Sequence, residues 1–74
     1  MFNLEVTKQV AVISENNYNG KTLELNRVRI NNGPEQWDLR RWGQDPASGE
    51  RTMLKGVCLH DDEMEELKKV LCDL

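Results

Sequence analysis

The segment Gln36–Trp42 reads Gln-Trp-Asp-Leu-Arg-Arg-Trp and contains both tryptophans of the chain. Its alternation predicts a strand, in which successive side chains point to opposite faces. Trp37 and Leu39 then share an apolar face, which we expect to be core. Arg40 and Trp42 share the other face. An indole beside a guanidinium on an exposed sheet face is suited to single-stranded nucleic acid, because the ring stacks on a base and the cation contacts phosphate.

A second interpretation of the same strand needs no ligand. The strand is then simply amphipathic, with Trp42 covering its edge and Arg40 paired with Asp38. Lys55, next to Gly56, is in that case a solvated lysine that discourages edge-to-edge strand pairing. The pattern of this segment alone leaves both interpretations open.

The length of 74 residues predicts one domain, residues 1–74. A single core of this size is marginal on its own, so we expect association into a homodimer. Cys58 and Cys72 allow at most one bridge, and the N-terminus shows no signal-peptide pattern. We therefore predict free thiols and a cytoplasmic location. No apolar run reaches the ~20 residues that span a bilayer, so we predict no membrane segment.

The net charge of −3 is unevenly distributed along the chain. Residues 21–55 contain seven basic and five acidic side chains, a net charge of +2, whereas residues 61–74 contain six acidic and two basic ones, a net charge of −4. The middle of the chain is thus compatible with phosphate binding, although its charge does not require it.

Alternating apolar residues and intervening turn formers predict four antiparallel strands. The predicted strands are Phe2–Ile13, Thr22–Asn31, Trp37–Trp42 and Thr52–Leu59. Turns are predicted at Ser14–Lys21, at Asn31–Pro34 and at Gly43–Gly49.

Two irregularities are expected within these strands. The apolar parity of the second strand switches around Asn26 and Arg27, which predicts a β-bulge or a bend there and turns Arg27 and Arg29 to the face opposite Val28. Gly56 interrupts the fourth strand, which predicts a bulge or a close backbone approach.

The C-terminal segment changes to a helical period. One apolar stripe is formed by Met64, Leu67, Val70, Leu71 and Leu74. Acidic residues fill the first turn, where the helix dipole favours them. We expect Asp61 as the N-cap, with His60 as the alternative. The class is therefore α+β, four antiparallel strands followed by one helix.

In this order of elements, a set of short motifs resembles the positive cofactor 4 transcriptional coactivator family, most closely its small bacterial single-domain members. The motifs are Glu24–Val28, Trp37–Trp42, Asp45-Pro46 and Lys55-Gly56-Val57 with Leu59 before an acidic helix start. The resemblance runs from about Leu4 to Leu71. It implies a strongly curved four-stranded sheet with a C-terminal helix, assembled as a symmetric homodimer. It also implies binding of single-stranded DNA, and sometimes RNA, with little sequence preference.

The resemblance also implies which residues bind nucleic acid. Arg40 matches a family arginine of the third strand, Trp42 stands where the family has an aromatic residue near the Asp-Pro loop, and Lys55 matches the lysine of the Lys-Gly motif. The nucleic-acid-binding residues implied in this way are Arg40, Trp42, Lys55, Arg29, Arg51 and Arg27.

We thus predict a non-enzymatic, single-stranded nucleic-acid-binding homodimer that acts in transcription, replication or repair, with transcription or replication proteins as further partners. The alternative is a small protein-interaction module whose sheet face docks a partner protein. We predict no cofactor and no metal, because His60 is the single histidine and two thiols fall short of the four ligands of a structural zinc site. The acidic residues after it follow a helical pattern, unlike a calcium loop.

Overall fold

The computed structural model describes residues 3–16 and 18–74. Four strands in the order of the chain form one antiparallel sheet, and a helix follows, so the predicted α+β class is confirmed. The elements are β1 (Leu4–Glu15), β2 (Thr22–Ile30), β3 (Glu35–Gln44), β4 (Arg51–Leu59) and α1 (Asp61–Cys72). The sheet is open, with β1 and β4 at its edges. It is not strongly curled, so the strongly curved sheet that the resemblance implies is wrong.

Three of the strands extend beyond their predicted bounds, because backbone pairing continues through polar residues, whereas β2 ends at Ile30, one residue before its predicted end. β3 adds two residues at each end of the predicted strand, and β1 runs on to Glu15. The predicted start of β1 at Phe2 lies outside the described residues, as does Asn17 of the first predicted turn. The second turn adopts positive φ at Asn31 and Asn32, as is typical of a tight hairpin connection.

The two faces of the sheet differ in chemistry. The helix face, on which α1 packs, carries Leu25 paired with Leu39 and Arg27 paired with Trp37. The opposite face, here called the polar face, carries Thr22, Glu24, Asn26, Asp38, Arg40 and Trp42. Trp37 and Trp42 therefore lie on opposite faces, as the strand alternation predicts.

The bulge predicted in β2 is wrong. Pairing between β2 and β3 runs without interruption from Thr22 to Arg29, and ordinary alternation turns Arg27 away from Val28. The apolar residues of β2 change from odd to even positions because Val28 is fully buried on the polar face, whereas Leu25 lies on the helix face. β2 therefore has apolar side chains on both faces of the sheet. The irregularities lie instead in β1, which shifts register against β2 three times.

The irregularity predicted at Gly56 is confirmed. The register between β3 and β4 shifts between Arg40, which pairs with Gly56, and Trp42, which pairs with Met53. A Cβ atom on Gly56 would lie 2.6 Å from Cβ of Arg40, so the two strands meet here at a distance that only glycine allows.

The N-cap of α1 is His60, the alternative, and not Asp61. The helix therefore begins at Asp61, one residue earlier than an N-cap at Asp61 would allow. Glu63 Oε1 accepts a hydrogen bond of 2.8 Å from the backbone N–H of His60. Asp61 lies in the first helical turn, where its carboxylate accepts a hydrogen bond from Arg27. Within the described part of the chain, no helix is long and apolar enough to cross a membrane.

Candidate nucleic-acid interface

At one end of the polar face, an arginine covers a tryptophan ring. The guanidinium carbon of Arg51 lies 4.6 Å from the centroid of the Trp42 ring, a cation–π distance. Arg51 Nη2 also donates a hydrogen bond of 2.7 Å to Glu24 Oε2. Trp42 is only 9% exposed, whereas the side chain of Arg51 is 50% exposed. The surface presented to a ligand is thus the guanidinium of Arg51, not the open indole that the sequence predicts.

Glu24 is held as a buried carboxylate beneath this pair. Its oxygens accept hydrogen bonds from Thr22 and Asn26 as well as from Arg51. Burial favours the neutral acid and raises the pKa of Glu24, but these hydrogen bonds outweigh burial and the net pKa is lowered. Glu24 is therefore ionised at neutral pH and fixes the guanidinium over the ring.

The side chain of Arg40 lies on the same face and is largely buried. Its Nε donates to both carboxylate oxygens of Asp38, at 3.2 and 3.1 Å, and its Nη1 donates to the carbonyl oxygen of Leu54 at 2.8 Å. The side chain is 12% exposed and Asp38 is fully buried. Pairing of Arg40 with Asp38 is the arrangement that the ligand-free interpretation of this strand predicts.

Cys58 completes the cluster around Asp38. Its thiol lies 3.3 Å from Asp38 Oδ1 and donates a hydrogen bond to it. Burial, together with the neighbouring carboxylate, raises the pKa of the Cys58 thiol. Cys58 and Cys72 are both free, and the protonated thiol of Cys58 serves as a hydrogen-bond donor rather than a nucleophile.

Two buried polar atoms of the described residues have no hydrogen-bond partner. They are Asn26 Oδ1 and Trp42 Nε1, and both belong to the polar face. Buried polar groups are nearly always satisfied in folded proteins, by protein or by solvent. The polar face thus has hydrogen-bonding capacity that the chain itself does not use.

The remaining predicted site residues are divided between two places. Lys55 is exposed and lies in the β4 bulge beside Arg40. Arg27 and Arg29 lie on the helix face, where Arg29 pairs across the strands with Glu35. The structure therefore brings Arg40, Trp42 and Arg51 together on the polar face, places Lys55 in the bulge opposite Arg41, and separates Arg27 and Arg29 from this group.

Arg27 has a structural environment of its own. Its guanidinium lies 4.6 Å from the centroid of the Trp37 ring and donates to Glu35 at 2.8 Å and to Asp61 at 3.0 Å. The hydrogen bonds from Arg27 lower the pKa of both carboxyl groups. Arg27 therefore connects β2 to β3 and to the first turn of α1.

Sequence reasoning missed the roles of Glu24 and Asn26. The signal was present, because β2 places these two polar residues between Leu23, Leu25 and Val28, at positions where a two-sided strand buries them. Among residues 3–16 and 18–74, no three His, Cys, Asp or Glu side chains converge in a way that could hold a metal ion.

Comparison with known proteins identifies a relative but no described function. An uncharacterized protein of Treponema pallidum (strain Nichols) is 36% identical over 70 residues, which cover 95% of this chain and 76% of the relative. The chain belongs to the same family as this protein. No family model matches the chain.

Proposed function

We propose that the protein binds single-stranded DNA, and also single-stranded RNA, through the polar face of its sheet and without base preference. The observation that carries this proposal is the half-exposed Arg51 guanidinium over the Trp42 ring. Stacking on aromatic and guanidinium planes is sequence-tolerant, because every base has a π-face. Arg51 therefore offers a flat cationic surface for a base, supported from beneath by an indole.

The charges of the polar face support a phosphate backbone as the partner. Glu24 is 3% exposed and Asp38 is fully buried, while Arg51 is half exposed and Lys55 is exposed. The carboxylates thus lie below the surface, where Glu24 orients Arg51 and Asp38 orients Arg40. In this arrangement Arg51 and Lys55 contact phosphate, and Arg40 positions β4 through its bond to the Leu54 carbonyl.

We further propose that the binding species is the symmetric homodimer that the resemblance implies. α1 covers only part of the helix face and leaves a groove of about 370 Å³ between β1 and the helix. The groove is lined by Val10, Ile13, Leu25, Trp37, Leu39, Leu59, Met64, Leu67, Lys68 and Leu71. Ile13 and Leu71 are each 56% exposed. A small domain that leaves this much apolar surface open gains stability by burying it against a second copy.

Light scattering tests the dimer, which should have about twice the chain mass of 8.6 kDa. Leu71→Asp places a charge in the groove and should give a monomer, while Lys69→Asp introduces the same side chain outside it and should leave the dimer intact. A folded wild-type monomer at micromolar concentration would contradict this part of the proposal.

Fluorescence anisotropy with labelled oligonucleotides tests the binding function. Wild-type protein should bind single strands more tightly than the matching duplex at low salt, and mixed-base, pyrimidine and purine strands should bind within a few fold of each other. Each phosphate contact contributes about 0.7 to the log–log salt slope for single strands. Equal binding of single and double strands at low salt would overturn the proposal.

The open groove also favours a second candidate, a protein-interaction module without nucleic-acid binding, steered by the acidic helix. This alternative predicts that the protein binds no oligonucleotide and that its complex with a protein depends weakly on salt, because a mixed interface contains few phosphate-like charges. The salt titration therefore separates the two candidates.

A further inference from the structure

The tip of the β1–β2 hairpin carries an aromatic side chain that packs against nothing. Tyr18 is 99% exposed, the most exposed large hydrophobic side chain among the residues that the structure describes. The loop around it is ordered by local hydrogen bonds, because Asn16 Oδ1 accepts from the N–H groups of Tyr18 and Asn19 and the N–H of Gly20 donates to the carbonyl of Asn16. The ring is thus held away from the protein on a structured turn.

Residues on either side of Tyr18 in the chain line a polar cleft that contains two cations. The cleft is lined by Ser14, Glu15, Asn16, Asn19, Lys21 and Arg41. Lys21 and Arg41 are both exposed, and neither forms an ion pair with any described residue. Glu15 offsets one of the two positive charges, which leaves the cleft with a net charge of +1. Such a cleft suits a phosphate group better than a cation or an apolar ligand.

The cleft lies at the same end of the sheet as the Trp42–Arg51 pair, but on the helix face, because Arg41 alternates with Trp42 along β3. Arg41 precedes Trp42 in β3, and the two residues pair with Leu23 and Thr22 of β2. A Cβ atom on Gly20 would lie 3.4 Å from Gln44 Oε1, so the hairpin tip is in contact with the end of β3. A nucleic-acid strand that leaves Arg51 therefore has to pass around this end of the sheet to reach the cleft.

We propose that Tyr18, Lys21 and Arg41 form a second contact site for the same single strand, with a base stacked on Tyr18 and phosphate held by Lys21 and Arg41. This inference rests on the proposed function, since the polar face binds the first part of the strand. Among the described residues, Tyr18 is the only aromatic side chain that lies on neither face of the sheet, and the proposal gives it a role.

Anisotropy titrations with a single strand of about 16 nucleotides, near the upper end of the usual site size, test the second contact. Tyr18→Ala should weaken binding roughly fivefold to a hundredfold, the range for loss of one stacked base, and Tyr18→Phe should bind as wild type does. The double variant Lys21→Gln with Arg41→Gln should reduce the magnitude of the salt slope by about 1.4, from about 0.7 for each phosphate contact. Lys69→Gln, an exposed charge on α1, is the matched control and should leave the slope unchanged.

A strand of about 4 nucleotides separates the two sites, since it is too short to occupy both. In a Trp37→Phe background, quenching of Trp42 fluorescence reports binding at the polar face, and Tyr18→Ala should not change it. If wild-type protein binds no single strand, the proposed function fails and this inference fails with it. If wild-type protein binds the long strand, and both Tyr18→Ala and the double variant bind it as tightly as wild type does, the second contact alone is wrong.

Discussion

Arg27 and Trp37 stack on the helix face at the same distance, 4.6 Å, as Arg51 and Trp42 on the polar face. The two pairs differ in what else holds the guanidinium. Arg27 is 18% exposed and donates to two carboxylates from different elements, whereas Arg51 is 50% exposed and donates to one. The first pair therefore stabilises the packing of α1 on the sheet, and the second leaves N–H groups for a ligand.

Replacing Arg27 should destabilise the fold. Arg27→Gln removes the ion pairs to Glu35 and Asp61 together with the stack on Trp37, and the first turn of α1 loses its link to β2. We expect the midpoint of urea unfolding to fall at an unchanged m-value. Arg29→Gln, two residues along the same face, is the control and should leave the midpoint nearly constant. Equal midpoints for the two variants would show that the Arg27 contacts contribute nothing to stability.

Gly56→Ala should disturb the pairing of β3 with β4. The added methyl group would lie 2.6 Å from Cβ and 2.7 Å from Cα of Arg40, so backbone must move and side-chain flexibility cannot relieve the contact. Overpacking of this kind costs about 1–3 kcal/mol. The free energy of unfolding from urea denaturation measures the loss. Lys55→Ala, at the neighbouring exposed position, should change it by less than about 0.5 kcal/mol. An unperturbed Gly56→Ala variant would mean that the bulge is more adaptable than its geometry suggests.

Local sequence patterns were sufficient for the features that depend on neighbours in the chain. Alternation placed Trp37 and Trp42 on opposite faces, and a glycine within a strand marked the irregularity of β4. Partners distant in sequence were not predictable in this way. The residue type of Asp61 predicts an N-cap, but its carboxylate pairs with Arg27, 34 residues away. The cover of Trp42 by Arg51 depends on the β3–β4 register beyond a bulge, which no local pattern specifies.

Acid should weaken the fold in a way that depends on Glu24. Its net pKa in the folded protein is lowered from the ordinary value of 4.5, because hydrogen bonds from Thr22, Arg51 and Asn26 outweigh burial. A lowered folded pKa contributes stability that is complete above the unfolded pKa and is lost as pH falls through the folded pKa. Urea denaturation from about pH 6 to about pH 3 should show stability falling below about pH 4.5. Glu24→Gln should be less stable at pH 6 and should show a shallower fall, whereas parallel curves would rule out this role.

The two faces of the sheet should respond differently when a single arginine is removed. Arg51→Gln takes away the half-exposed cation of the polar face, so single-strand affinity should drop and the magnitude of the log–log salt slope should decrease by about 0.7. Arg29→Gln removes an equal charge from the helix face and should leave the slope unchanged, although the family resemblance places both residues in the site. Anisotropy at four or more salt concentrations gives the slopes, and circular dichroism establishes that both variants are folded. If Arg29→Gln decreases the magnitude of the salt slope and Arg51→Gln does not, the nucleic acid binds on the helix face. The assignment of the polar face as the binding surface is then wrong.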